Sequence, residues 1–133
     1  MSETASTPPP PGTILWTDLT VHDADRLRDF YAQVVGWLPE PIDMGTYSDY
    51  SMSLSETGKP AAGICFDLSV NKGIPAQWLI YIVVADLDAS LLRCQALGGK
   101  VIHGPRGDQT QGRLVVIQDP AGAVAALIEL AQT

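Results

Sequence analysis

The chain has 133 residues, 46% hydrophobic and 17% charged, with a net charge of −7 at pH 7, the size and make-up of one globular domain with a core of its own. Its acidity opposes sequence-independent nucleic-acid binding. No apolar run reaches the roughly 18 residues of a membrane span, and no basic amphipathic helix is present to seek an anionic membrane.

Residues 1–12, with prolines at 8 to 11, read as a disordered Pro-rich leader, because consecutive prolines favour extended polyproline geometry and cannot enter a sheet interior. The stretch lacks the basic start and apolar middle of a secretory signal, so the cytoplasm is the expected compartment. Thr13 to Val21 alternates as a strand, with Leu15, Thr17, Leu19 and Val21 on one face and Ile14, Trp16, Asp18 and Thr20 on the other. Asp23 is placed to cap a helix that carries Leu27, Phe30, Tyr31, Val34 and Val35 at helical spacing and stops at Gly36. Trp37 to Asp43 contains Pro39 and Pro41, which confines any strand there to an edge. Tyr47 to Leu54 and Ala61 to Leu68 read as strands joined by a turn at Glu56 to Lys59.

Ser69 to Gln77 is a connection marked by Asn71, Gly73 and Pro75. Trp78 to Val84 is a β-branched strand. Asp86 to Leu97 is a helix closed by Gly98-Gly99, Lys100 to His103 a short strand, and Gly104 to Thr110 a polar, glycine-containing loop. Gly112 to Gln118 and Ala123 to Leu130 form a last hairpin across the turn Asp119-Pro120-Ala121-Gly122. Cys65 and Cys94 fall in different predicted elements without metal-type spacing and read as reduced, packed thiols.

The second half repeats the first at an offset of 63 residues: Val21, Asp23, Asp25 and Gly36 recur as Val84, Asp86, Asp88 and Gly99. The element order is βαβββ twice, an α+β domain with module 1 at 13–68, linker 69–77 and module 2 at 78–130. Each half-sheet is too small to shelter its own concave face, so the modules are expected to share a cavity. Alternation puts Trp16, Asp18 and Thr20 on the cavity face of the first strand and Leu79, Tyr81 and Val83 on that of the fifth. The offset makes Asp18 and Tyr81 equivalent.

The helix Asp25 to Tyr31 with Val35-Gly36-Trp37, the segment Val84 to Ala89 with Leu97-Gly98-Gly99, and the closing Gly112-Arg113 with Asp119 to Ala123 occur in the order and spacing of a known group. Over nearly all of Gly12 to Leu130 the chain resembles the vicinal oxygen chelate superfamily, which includes glyoxalase I, bleomycin-resistance proteins, fosfomycin-resistance enzymes and extradiol dioxygenases. Trp16-Thr17-Asp18 and Asp119-Pro120-Ala121-Gly122-Ala123 resemble a branch of small actinobacterial-type glyoxalase-like proteins.

In metal-dependent members the resemblance implies four ligands, usually histidine, glutamate or glutamine, on the first and last strands of each half. Laid on this chain, those positions are Trp16, Gly63, Leu79 and Ala126, and none of them offers a nitrogen, oxygen or sulfur donor for the metal. The neighbours Leu15, Ile80 and Ala125 are inert and Thr17 is a poor ligand, so no metal site and no cofactor is expected. His22 reads as solvent-facing or cap-assisting. His103 is read as a surface histidine, with reach to a cavity mouth as the alternative.

The pattern nominates Asp18 and Tyr81 as an acid/base pair. A carboxyl beside Trp16 would be desolvated, which suits a general acid or base, while the phenol donates to a substrate oxygen. The structural alternative makes Asp18 a satisfied buried carboxylate, bonded to Tyr81 or to an arginine such as Arg113. Trp16 is read as an aromatic floor for a flat ligand, or else as core, as is Trp78. Tyr50, Leu79, Arg113 and Ala126 complete the candidate ligand-binding set, although the inward face of the third strand is not settled by alternation. Three functions compete: a metal-independent small-molecule binder similar to the bleomycin-resistance members, a cofactor-free isomerase, lyase or cyclase using Asp18 and Tyr81, and a bare interaction subunit. A homodimer is implied by the resemblance alone, and the partner expected otherwise is a small-molecule ligand.

Overall fold

The computed structural model describes residues 7–131. They form eight strands and two α-helices: β1 (Ile14–Val21), α1 (Ala24–Val35), β2 (Leu38–Asp43), β3 (Ser48–Ser53), β4 (Pro60–Phe66), β5 (Trp78–Val83), α2 (Leu87–Ala96), β6 (Lys100–Asp108), β7 (Gly112–Gln118) and β8 (Val124–Glu129), with a single 3₁₀ turn at Ser69–Asn71. This is the α+β order βαβββ twice. Neither helix is long and apolar enough to cross a membrane. The chain divides into two compact units, Trp16–Ile80 and a second made of the residues through Leu15 together with Tyr81 onward.

In the Trp16–Ile80 unit the strands lie in the order β2-β3-β4-β1. The first and last strands pair in parallel, Asp18 with Gly63 and Leu19 with Ile64. Asp23 starts α1 by accepting the Arg26 N–H, and Gly36 ends it in the left-handed conformation, φ 87°, its N–H donated to Ala32. The apolar stripe of α1 packs Ala24, Leu27 and Tyr31 on Tyr50, Met52 and Ile64, with Val21, Phe66, Trp37 and Trp78 around them. Trp78 is therefore core, and its indole N–H donates to the Tyr31 hydroxyl at 3.0 Å. β2 carries Pro39 and Pro41 at the edge, where a missing N–H costs no ladder bond.

In the other unit the order is β5-β8-β7-β6. Leu87 and Leu91 of α2 pack on Val115, Ile117 and Leu127, with Ile82, Val84 and Val101 at the margin. Gly12 donates its N–H to Val83 O at 2.7 Å and Val83 returns one to Thr13 O at 2.8 Å. Thr7–Gly12, the described part of the segment expected to be a disordered leader, thus run to a ladder-like junction at the end of β5. Met1–Ser6, the rest of that leader, lie outside the described residues.

β6 is longer than the short strand expected. Register shifts between Val101 and His103 and between His103 and Arg106 carry it through the Gly104-Pro105 stretch that reads as loop. Glycines make this possible: at Gly104 a Cβ would lie 3.1 Å from the Leu114 carbonyl, and at Gly107 one would collide with that of Gly112.

Each helix is tied to its own strands by a polar anchor. Glu129, only 5% exposed, accepts the Leu87 N–H at 2.8 Å with one oxygen and Arg113 Nε at 3.2 Å with the other. The Leu87 amide, then Arg113, holds the Glu129 carboxyl below the usual glutamate range. Its depressed value means that the stabilisation is complete above the ordinary glutamate pKa and is lost as pH falls through the folded-state value. Glu129→Gln is expected to lower unfolding stability by about 1.5–3 kcal/mol at neutral pH, the worth of hydrogen bonds to a charged group. Urea titrations should find that deficit constant above about pH 5 and shrinking below the ordinary glutamate value of about 4.3.

Candidate functional site

Register and packing sort the side chains of each unit into a helix-facing set and a helix-free set. In the Trp16–Ile80 unit, Leu19, Ile64 and Tyr50 lie in register across β1, β4 and β3, and Ile64 and Tyr50 belong to the core under α1. The next row, Asp18, Gly63, Ser51 and Glu40, therefore lies on the opposite face. In the other unit Val115 and Leu127 pack on α2, so the row Tyr81, Ala126, Val116 and His103 is the helix-free one.

These rows correspond. Asp18 and Tyr81, Gly63 and Ala126, and Glu40 and His103 are each 63 residues apart and occupy matching strands. Only the third-strand partners, Ser51 and Val116, break the offset, by two residues. The alignment that assigns Gly63 from Ala126 is thus reproduced in the ladder itself.

Gly63 is buried and its surroundings are tight. A Cβ there would lie 3.1 Å from Asp18 Cβ, 3.6 Å from Trp16 Nε1 and 3.8 Å from Asp18 Oδ2. Trp16 and Asp18 therefore both approach the bare backbone of β4 at Gly63. Leu79 and Ala126 are fully buried, and Tyr81 is 7% exposed. Thr20 and Cys65 pair in the next row on that face. Asp49 is buried and accepts the Phe66 N–H at 2.9 Å, which fixes that end of the β3–β4 ladder.

Two of the seven candidate residues lie elsewhere. Tyr50 faces α1: its hydroxyl donates to Asp25 Oδ1 at 2.6 Å and accepts from Arg28 Nη1 at 2.8 Å, while the guanidinium lies 4.8 Å from its ring centroid. The Asp25 carboxylate, with burial, pushes the phenol's pKa up and keeps it protonated. Arg113 faces α2, forked between Asp88 and Glu129. It is not available as the partner of Asp18 that the structural reading suggested. Both residues reach the first-turn aspartate of their helix, Asp25 or Asp88, so they anchor the helices.

His103, read as a surface residue, stands instead in the Tyr81 row. Its Nε2 is 3.3 Å from Arg106 Nη1, and Arg106 pairs across to Leu114 on the same face. Sequence reasoning missed this pair because simple alternation fails where β6 bulges. His22, as expected, is at the surface, 3.8 Å from Asp67.

A family model described as a glyoxalase-like domain matches residues 16–128. The chain belongs to this glyoxalase-like family. It lies within the vicinal oxygen chelate superfamily that its sequence resembles. It is 30% identical over 118 residues to a putative glyoxylase, CFP32, of Mycobacterium tuberculosis, covering 89% of this chain and 44% of that protein. It is 31% identical over 120 residues to the anthracycline biosynthesis protein DnrV of Streptomyces peucetius, covering 90% of this chain and 42% of that one. The chain spans about half the length of these curated relatives. Its fold is shared with methylmalonyl-CoA epimerase from Mycobacterium tuberculosis, at a TM-score of 0.50 and 19% identity over 87% of this chain and 86% of that one.

The metal of the metal-dependent members does not fit the residues present. Trp16, Gly63, Leu79 and Ala126, the positions that the resemblance implies, supply no donor, and a Cβ at Gly63 would already lie 3.1 Å from Asp18 Cβ. Among the described residues no group of three histidine, cysteine, aspartate or glutamate side chains is arranged to hold an ion.

The close approach at Gly63 makes a direct prediction. Gly63→Ala is expected to cost about 1–3 kcal/mol, the usual penalty of overpacking. Most of that cost should vanish in an Asp18→Gly background, so that urea unfolding of the double-mutant cycle gives a coupling above about 0.5 kcal/mol.

Proposed function

We propose that this glyoxalase-like protein is a metal-independent small-molecule binding protein that holds its ligand against the helix-free faces of its units. The observation that carries the reading is the exchange at the four ligand positions. Donor side chains give way to Trp16, Gly63, Leu79 and Ala126, and Trp16 lies with its indole beside the Gly63 backbone. The Trp16 indole is a flat aromatic surface that suits the apolar body of a ligand, with a few polar groups to orient it. The similarity to a protein named for anthracycline biosynthesis favours the same kind of ligand. A second copy of the chain as partner belongs to this proposal.

The second reading is a cofactor-free isomerase, lyase or cyclase. It is favoured by the equivalence of Asp18 and Tyr81 in the ladders and by the similarity to a putative glyoxylase. That reading gives Asp18 the role of general base and Tyr81 that of hydrogen-bond donor.

Native mass spectrometry of freshly purified protein, with metal analysis of a sample prepared without chelator, tests the first reading. The expected result is a chain carrying an organic ligand, dimeric, with no stoichiometric nickel, zinc, iron or manganese. A stoichiometric metal overturns it. Asp18→Asn separates the two readings: a binder keeps its affinity for an uncharged ligand within about threefold, whereas an acid/base enzyme loses turnover by about 10²–10⁴-fold.

A further inference from the structure

We infer that the C-terminal end of α1 carries a second binding site, separate from the helix-free faces, for a small organic cation: an ammonium group on an apolar body.

The site is a cleft within the Trp16–Ile80 unit. It encloses about 290 Å³ and is lined by Val35, Gly36 and Trp37 at the helix end and by residues 54–57 from the turn between β3 and β4. Ligand pockets run from about 300 to 1,000 Å³, so this one suits a molecule of a single ring. Its apolar wall is Val35 and Leu54, both exposed, with the half-buried Trp37. Trp37 packs on the core under α1, and ring contacts with Tyr31 and Trp78, at centroid distances of 5.9 and 5.8 Å, hold its indole. That wall is set before any ligand arrives, which lowers the cost of binding.

The internal repeat shows that the fold does not require such a cleft. By the 63-residue offset, Gly36 corresponds to Gly99 and the turn residues 56–59 to 119–122. In the second repeat the helix end is filled: a Cβ at Gly98 would touch Pro120 at 3.7 Å, and one at Gly99 would meet Cys94 Sγ at 2.6 Å. At Gly36 a Cβ would meet nothing within 4 Å.

Charge selects the ligand. A helix C-terminus is the negative end of the helix dipole and favours a cation. In its last turn α2 has Arg93, whereas α1 has no basic residue there. Glu56 brings a carboxylate to the cleft, and among the described residues it is in no ion pair. Lys59 belongs to the same turn but does not line the cleft. A bound ammonium thus supplies at α1 the charge that Arg93 supplies at α2, and the Trp37 indole is a further favourable neighbour for it. The net charge of −7 favours the same sign of ligand.

The test uses three probes of similar shape, 2-phenylethylammonium, 2-phenylethanol and 3-phenylpropanoate, titrated into the full chain at low salt while the backbone amide signals of Gly36, Trp37 and Glu56 are followed. The ammonium is expected to bind about threefold or more tightly than the alcohol, and added salt should shrink that preference. Glu56→Gln should reduce the preference, while Asp67→Asn, which removes an equal charge elsewhere in the unit, should leave it intact. Val35→Arg, which places a guanidinium at the cleft wall, should abolish it. Leu54→Ala should weaken all three probes alike. Equal binding of ammonium and alcohol, or tighter binding of the carboxylate, overturns the assignment of a cation. A preference that survives both Glu56→Gln and Val35→Arg overturns the assignment of these groups. No response of the three amides to any probe at millimolar concentration overturns the site itself. The reading of the helix-free faces is tested separately, by the retained ligand and by Asp18→Asn.

Discussion

The parallel pairing of first with last strand in each βαβββ repeat decides what every other residue does. Strand side chains alternate, so fixing Leu19 opposite Ile64 sends both toward α1 and sends Asp18 and Gly63 the other way. The same holds for Ile82 with Leu127 under α2, against Tyr81 with Ala126. A slip of one residue in β1 would drive the Asp18 carboxylate into the aliphatic core under α1, at a cost of several kcal/mol. The hydrophobic rows that pin the helices therefore also hold the polar rows in place, and the candidate chemistry is a by-product of core packing that cannot drift independently of it.

The helices themselves are set by a second, polar constraint. In both units an aspartate in the first helical turn receives a hydrogen bond from a strand side chain: Asp25 from the Tyr50 hydroxyl and Asp88 from the Arg113 guanidinium. Negative charge at a helix N-terminus is already favourable, and the strand partner fixes the direction in which the helix leaves it. Glu129 adds a direct bond to the Leu87 N–H, one of the orphan donors of the α2 N-terminus. Burial of that carboxylate is tolerable because both of its oxygens have donors.

Much of this was legible in the sequence, for identifiable reasons. The alternation in Thr13 to Val21, the Asp23 and Asp86 caps and the Gly36 stop are local signals, and the structure places them as read. The 63-residue offset recurs in the ladders, because the parallel pairs Asp18–Gly63 and Tyr81–Ala126 preserve it. Tyr50 and Arg113 were misplaced because a lone tyrosine or arginine on a strand has no local mark of its face; the face follows from tertiary register with Ile64 and Glu129. His103 was underestimated because two register shifts move β6 out of simple alternation, and the glycines that allow them read as loop residues. The disordered leader was too broad an expectation for Thr7–Gly12, since a backbone junction such as Gly12 with Val83 leaves no trace in composition.

The four central positions and the flanking polar groups together make one chemical statement. A metal centre concentrates charge at a point and needs several donors aimed at it. Here the centre of each row is a residue with no donor, Gly63 or Ala126, while the acids, the phenol and His103 lie beside it or at the row's far end. At Gly63 the space is tight, since a Cβ there would lie 3.1 Å from Asp18 Cβ and 3.6 Å from Trp16 Nε1. In each row the residue paired in parallel with Asp18 or Tyr81 is thus a small one, and the polar side chains stand to its sides.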